Sequence, residues 1–297
     1  MPELPETETL ARDLDASLVG RTITRVECPH GDVLRNVTSR TIGRRLHGRT
    51  VREVWRRAKA VVVRLEKSGS DTNPAEPTGV AAPAKPRLAS DPDFIVVVPR
   101  FTGGLLLRAR DVPDDRYDAL RFRLADGSTL AYRDVRRLGT VTLFNSAEYE
   151  GFDKRLGMEP LDPAFTPIVL SASLKSSSQP VKKVLMDQRR IAGIGNIYAN
   201  EALWAARIDP SRPGHAVTDR EAADLHAALV DILKRAIDAR GTTFRDYRDA
   251  NGRRGGFVSQ LAVYGRGGAP CARCGTRLTL THAIDGRATV FCHRCQC

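Results

Sequence analysis

What this chain lacks narrows its class before any motif is read. It has no run of about 18 apolar residues, so nothing in it reads as a membrane-spanning helix. Its first residues carry charges where a secretory leader needs an apolar stretch, which points to the cytoplasm. Cysteine is nearly missing from the body of the chain: Cys28 stands alone there, and the other five of the six fall beyond position 270. A disulfide framework is therefore not expected. Acidic residues are in deficit, 35 against 47 Lys plus Arg, for a net charge of +12. That balance suits a partner rich in phosphate, with ribosomal or membrane surfaces also compatible, and it names no chemistry. No convincing internal repeat is visible. With 297 residues, 41% of them hydrophobic, the chain is long enough for two domains, each with its own core.

The clustered cysteines are the clearest motif. Cys271-Ala-Arg-Cys274 and Cys292-His-Arg-Cys295 are two Cys-x-x-Cys pairs 17 residues apart, a spacing that suits one tetrahedral zinc ion with no open position for catalysis. The intervening segment reads as a hairpin, Arg277 to Thr281 and Arg287 to Phe291, around an Asp285-Gly286 turn. His293 is a minor rival ligand. Cys28 reads as a small, partly buried hydrophobe and Cys297 as a frayed terminal thiol.

Periodicity divides the rest into α+β parts. A helix from about Glu3 carries Leu10, Leu14 and Leu18 at four-residue spacing and stops at Gly20. From Thr22 to about Phe144 short β-rich runs follow, among them Ala60 to Leu65, Phe94 to Val98 and Leu105 to Ala109, with a hairpin at Asp126-Gly127. These predict a helix-capped β-sandwich. The segment 68–93, with five prolines and little apolar content, reads as a disordered insertion. The second half is helical: Thr218 to Glu221 has the pattern of a capping box, with Leu225, Leu229 and Ile232 on one face before Gly241. Upstream, Lys182-Lys183-Val-Leu-Met and Asn196 to Trp204 predict two helices joined by a turn containing Gly193 and Gly195. Such a turn can approach a phosphate, with the amides of the second helix and the Asn196 side chain as donors; helices packed only for stability are the plainer alternative.

The N-terminus, Met1-Pro2-Glu3-Leu4-Pro5-Glu6, admits two readings. Proline and acidic residues suit the first turn of a helix. Removal of Met1 would also turn Pro2 into a secondary amine with a pKa of about 8, partly neutral and nucleophilic near neutral pH. Attack on a sugar or carbonyl carbon by such an amine gives an iminium that stays positively charged, which suits eliminations.

Taken together, Pro2-Glu3-Leu4-Pro5-Glu6, Arg57-Ala-Lys59, Asp187-Gln188 through Gly193-Ile-Gly195-Asn196-Ile-Tyr198, and Tyr264-Gly-Arg266 leading into the four cysteines resemble the formamidopyrimidine-DNA glycosylases across nearly the whole chain. The resemblance implies a catalytic β-sandwich domain over 1–155, a helix-two-turn-helix domain over 156–261 with a lesion-capping loop at 240–256, and a zinc finger over 262–297. It implies action on double-stranded DNA that contains oxidised bases or abasic sites; a monomer in the cytoplasm, associated with the nucleoid, is the default expectation. Pro2 would attack C1′ of the damaged nucleotide and promote β- and δ-elimination, with Glu3 as general acid and base. Glu6 would support the site, Lys59 would reach the lesion and its phosphate, and Lys182, Asn196 and Arg287 would hold DNA. By itself Lys59 reads as an ordinary exposed lysine.

Two regions bear on the lesion. Arg240-Gly-Thr242-Thr243-Phe244-Arg245-Asp246-Tyr247, followed by Asn251-Gly252, resembles the family loop that closes over extruded 8-oxoguanine with main-chain amides. The residues that fill the gap left by the extruded base depart from the family pattern: Phe101 takes the usual methionine position, Arg136 is kept, and Leu138 replaces phenylalanine. An apolar wedge is retained, so activity is expected while opposite-base preference stays open. The alternatives are an endonuclease VIII-like enzyme for oxidised pyrimidines, a catalytically silent damaged-DNA-binding protein and, more remotely, an N-terminal-proline tautomerase, which would need neither the zinc hairpin nor a basic surface.

Overall fold

The computed structural model describes residues 2–67 and 92–297. Met1 and most of the proline-rich segment lie outside the described residues; Pro92 and Asp93 do not, and Asp93 opens a strand. Helix α1 (Leu4–Leu18) buries Leu10, Leu14 and Leu18 completely, as the four-residue spacing requires. The chain forms two compact units. One comprises 11–55 and 62–151; the other comprises 1–10, 56–61 and 152–297.

The first unit holds β1 (Ile23–Glu27), α2 (Ser39–Leu46), β2 (Arg49–Arg57), β3 (Ala60–Lys67), β4 (Asp93–Val98), β5 (Gly103–Arg108), β6 (Asp118–Leu124), β7 (Thr129–Asp134) and β8 (Thr140–Phe144). They make two four-stranded sheets, ordered β1-β6-β7-β5 and β2-β3-β4-β8, the sheets of the expected sandwich. The β6–β7 turn is Asp126-Gly127, where Gly127 takes a φ of +85° and Asp126 accepts the Ser128 N–H at 2.9 Å. Along β3 and β4 nearly every residue is buried, which is why these strands read as continuous apolar runs rather than alternating ones. Asp93 is buried at the head of β4 between Arg45 and Arg49.

After α3 (Ser146–Asp153), the second unit packs α4 (Pro167–Lys175), α5 (Val181–Met186), α6 (Asn196–Ala205) and α7 (Asp219–Asp238) around one apolar core. Both arms of the capping box at Thr218 and Glu221 form. Leu225, Leu229 and Ile232 face inward from α7, each buried leucine or isoleucine contributing about 1.5–3 kcal/mol. The helix ends as Arg240 and Gly241 turn left-handed, with φ of +62° and +83°. Strands β9 (Thr279–Thr281) and β10 (Thr289–Phe291) form the C-terminal hairpin, shorter than the sequence suggested. Its small core of Val263, Leu278 and Val290 packs with Cys271 and Cys292 against Trp204. Glu201 of α6 grips the strap leading into it, accepting the N–H groups of Ala262, Val263 and Tyr264 at 2.7–2.9 Å. Cys297 is not frayed: its N–H donates to the Arg207 carbonyl and its carbonyl accepts the Asp209 N–H.

Candidate active site

Every group in this site belongs to the second unit. Pro2 is buried immediately ahead of α1. The helix start is held from two sides: Leu4 N–H donates to the Gly193 carbonyl at 3.1 Å, and Glu3 N–H donates to Glu6 Oε2 at 2.8 Å. Gly193 sits at a φ of +83° with its α-carbon against Leu4, where a Cβ would lie 2.8 Å from the leucine side chain. Gln188 fixes this turn by donating to the Met186 and Ile194 carbonyls and accepting the Gly193 N–H. The glycines of the helix-turn-helix thus let the turn close over the N-terminus.

The Glu3 carboxyl is buried, and its Oε1 accepts the Ile197 N–H at 3.0 Å, at the first turn of α6. Its Oε2 is buried and has no hydrogen-bond partner among the described residues. Of the α6 amides expected to face a phosphate, that of Ile197 receives the chain's own Glu3, because the turn brings the N-terminus onto the positive end of α6. Lys59 converges on the same place. A Cβ on Gly195 would lie 2.5 Å from Glu3 Oε1 and 2.6 Å from Lys59 Nζ.

Lys59 projects from a tightly braced turn between β2 and β3. Glu159 accepts the Ala58 N–H at 2.7 Å and pairs with both Arg56 and Arg57, while Arg56 also pairs with Glu8 and Arg57 with Asp153. Ala58 takes a φ of +53° within this brace. The Lys59 pKa lies below the ordinary lysine value because burial penalises its charge; attraction to Glu3 offsets part of that penalty, and repulsion from Arg287 adds a smaller lowering. In Leu-Gly-Met-Glu-Pro, Glu159 is a lone acid that nothing nearby marks as a brace.

Glu6 lies beneath Glu3 and is fully buried within a set of donors. Its Oε1 accepts from the Tyr198 hydroxyl at 2.6 Å and from the Thr242 N–H at 2.7 Å; Tyr198 Oη and Thr242 Oγ1 are 2.9 Å apart. The Tyr247 hydroxyl donates to the Glu6 carbonyl at 3.2 Å. Burial raises the Glu6 pKa, the neighbouring Glu3 carboxyl raises it further, and the donors pull it back down. Glu6 and Tyr198 therefore join α1, α6 and the base of the 240–256 loop in one polar cluster.

At the tip of the C-terminal hairpin, Arg287 is exposed, with Asp285 at 3.4 Å. Asp285 and Gly286 take positive φ values of +55° and +64°, as the Asp-Gly signal implied. Lys182 and Asn196, both expected to hold DNA, are engaged with this hairpin. Lys182 is not at the surface: its side chain is fully buried, and Nζ donates to the Ala288 carbonyl at 3.0 Å and to Thr289 Oγ1 at 2.8 Å. Burial and repulsion from Arg287 bring its pKa down to about 8. Asn196 Nδ2 likewise donates to the Ala288 carbonyl at 3.0 Å. Both residues anchor the hairpin beside Arg287. A lysine in Pro-Val-Lys-Lys-Val gives no sequence cue to its burial, since the partner carbonyl lies about a hundred residues downstream.

The sulfurs of Cys271, Cys274, Cys292 and Cys295 lie within 4.8 Å of one another, so the hairpin can hold a metal ion on four thiolates. In the first unit, Phe101 and Leu138 are exposed on adjacent turns, at 44% and 45% of full accessibility. Buried Asp134 ties those turns together by accepting from Thr102 Oγ1 and from the Arg136 and Gly139 N–H groups. The Arg136 guanidinium lies 5.4 Å from the Phe101 ring centroid.

Comparison with known proteins agrees with this geometry. The model of the formamidopyrimidine-DNA glycosylase N-terminal domain matches residues 1–141, and that of the formamidopyrimidine-DNA glycosylase H2TH domain matches 156–248. The formamidopyrimidine-DNA glycosylase of Moorella thermoacetica is 40% identical over 280 residues, covering 94% of this chain and 93% of its own length. That of Heliobacterium modesticaldum is 38% identical, with both chains covered completely. Among solved structures, Lactococcus lactis Fpg (MutM) bound to DNA containing N7-benzyl-Fapy-dG superposes with a TM-score of 0.84 at 29% identity over 99% of both chains. Thermus thermophilus MutM superposes with a TM-score of 0.81 at 34% identity, over 99% of this chain and 98% of the other. With both family domains and full-length relatives matched, the chain belongs to the formamidopyrimidine-DNA glycosylase family of DNA-repair enzymes.

Proposed function

We propose that this chain excises oxidised purines from double-stranded DNA and then cuts the strand at the resulting abasic site, using Pro2 as the nucleophile. The observation that carries the reading is the buried Glu3 carboxyl, with one oxygen fixed on α6, the other unpartnered among the described residues, and Lys59 converging on the same glycine. Once Met1 is removed, the Pro2 nitrogen bonds to C1′ while the C1′–base bond breaks. Glu3 supplies and removes the protons that open the sugar. The iminium then draws electrons from C1′ as the 3′ and 5′ phosphates leave in β- and δ-elimination. Lys59 serves the lesion and its adjacent phosphate, and Arg287 the phosphates flanking it. Glu6 and Tyr198 hold Glu3 and the 240–256 loop. Phe101, Arg136 and Leu138 fill the stack that the base has left.

Four thiolates suit one structural zinc ion, which would hold the hairpin and leave no coordination position for chemistry. The net charge of +12 supports binding to double-stranded DNA, with affinity that falls steeply as salt rises; the chain acts as a monomer in the nucleoid in this reading. No helix among the described residues is long and apolar enough to cross a membrane. A silent binder would have no use for the intact Pro2, Glu3 and Lys59. A wider preference that includes oxidised pyrimidines has one specific support: Lactococcus lactis Fpg has been solved with DNA containing an oxidised pyrimidine.

Borohydride trapping on a duplex with 8-oxoguanine opposite cytosine tests the reading. The protein freed of Met1 should give a covalent adduct, whereas the form retaining Met1 and Pro2→Gly should bind the duplex and nick it poorly. Unchanged nicking by both would refute the role of Pro2. No adduct on 8-oxoguanine but one on an oxidised pyrimidine would favour the second preference.

A further inference from the structure

The geometry points to Phe244 as a specificity-determining residue: its ring, together with that of Tyr264, forms an aromatic wall on which the extruded base of a lesion stacks. This deepens the function proposed above and rests on it. The 240–256 loop is fastened on both sides of the tip at 244–246. Thr242 is tied to Glu6 and Tyr198. Thr243 Oγ1 donates to the Tyr247 carbonyl and accepts the Gly255 N–H. Buried Asp249 takes the Asn251 and Arg253 N–H groups together with the Arg240 guanidinium. Gly255 has no room for a side chain, since a Cβ would lie 2.3 Å from the Gly241 carbonyl oxygen. This frame fixes Thr243 and Tyr247 and leaves Phe244, Arg245 and Asp246 exposed between them.

Phe244 is the one apolar member of that tip and stays 47% exposed. Its ring centroid lies 5.4 Å from that of Tyr264 at 53°, and it packs over the backbone of Gly265, where a Cβ would sit 3.5 Å from the ring. Tyr264 in turn shares a hydrogen bond with the Asn196 side chain and feels the charge of Glu3. The ring pair is thus connected through Asn196 to the start of α6, whose next residue holds the Glu3 carboxyl. An aromatic ring held out at the end of a rigid loop, on the same elements as the catalytic carboxyl, suits a flat π-face arriving from outside. A planar oxidised purine can cover it. A saturated pyrimidine, puckered at C5 and C6, cannot lie flat on it, so the wall favours purine lesions.

Phe244→Leu keeps apolar bulk and removes the ring, while Phe244→Tyr keeps the ring. Single-turnover rates for each variant should be measured on duplexes carrying 8-oxoguanine, 5,6-dihydrothymine and a preformed abasic site. Abasic DNA has no base to stack and reports on the amine chemistry alone. Phe244→Leu should slow 8-oxoguanine excision about tenfold and lower the 8-oxoguanine to dihydrothymine ratio by about the same factor, with abasic cleavage unchanged and with Phe244→Tyr close to wild type. Wild-type excision of 8-oxoguanine by Phe244→Leu overturns the assignment. So does an equal loss on abasic DNA, which would make the ring a structural part of the loop. Wild-type protein that leaves abasic DNA uncut removes the proposed function itself, and this inference with it.

Discussion

Gly195→Ala separates fold from catalysis in a way the geometry makes quantitative. Gly195 has φ −132° and ψ −158°, ordinary extended backbone, so alanine is not strained there. The added methyl would lie 2.3 Å from Glu3 Cδ and 2.6 Å from Lys59 Nζ, whereas ordinary contact begins at 3.4 Å. Both side chains must retreat by about 1 Å. Both can, because the crowded atoms are the far ends of flexible side chains, and the fold should survive with its thermal transition nearly unchanged. The chemistry should not survive as well, since misplacing catalytic groups by about 1 Å costs about 100-fold in rate, or about 2.7 kcal/mol of barrier. The assay is single-turnover cleavage of a duplex with one abasic site, at enzyme in excess, beside melting curves and duplex affinity for the same preparation. A variant that folds, binds and cleaves within threefold of wild type would refute the convergence of Glu3 and Lys59 on one working site.

Lys182→Met tests the buried ammonium. With its pKa at about 8 in the fold against 10.5 unfolded, the unfolded chain binds more protons between those values, so wild-type stability should rise with pH through that window by about 3 kcal/mol; the variant, measured by denaturant titration at pH 7.5 and 10, should lose that rise. Glu201→Ala strips the carboxylate from three N–H groups and should cost about 3 kcal/mol or more, because buried donors are left unmet; a loss below 0.5 kcal/mol would contradict the role of that grip. Cys292→Ser should abolish binding of one metal ion per chain, read by atomic absorption, and weaken affinity for DNA by loosening the hairpin that carries Arg287. Thr218→Ala should lower stability by about 1 kcal/mol through loss of the α7 cap, with abasic cleavage unaffected.

The parts legible in the sequence were those written by local chemistry. Leucines at four-residue spacing, the Thr218–Glu221 box and the Asp126-Gly127 turn each depend on neighbours within a few positions, and each forms as read. The cysteine pairs were legible for the same reason, since each Cys-x-x-Cys is a local turn and only the joining of two pairs is remote. What the sequence hid was always a polar group satisfied from far away. Glu159 braces the Lys59 turn about a hundred residues upstream, and Tyr198 sits in an apolar stretch where nothing marks its hydroxyl as the link between Glu6 and Thr242. Lys182 and Asn196 look like phosphate ligands because the basic charge of the chain makes that the natural use for them.

Their hold on the Ala288 carbonyl bears on how the chain positions Arg287. Lys182, Asn196 and, more distantly, Asn200 all donate to the one carbonyl of Ala288, and Asn200 also accepts the Val290 N–H at 2.9 Å. One residue before that carbonyl stands Arg287, exposed on a turn of two left-handed residues. An exposed arginine on a loop would ordinarily spread over many positions and lose rotamer and backbone freedom on meeting DNA. Here the backbone beside it is fixed in advance by buried donors on α5 and α6, so less remains to be ordered at binding. Burying a lysine costs stability at neutral pH. The arrangement makes sense if rigidity at Arg287 is worth that cost, and in the same helix Glu3 is held by the next amide after Asn196. The hairpin charge and the Glu3 carboxyl therefore share one reference, the start of α6, to which α5 adds the Lys182 bond.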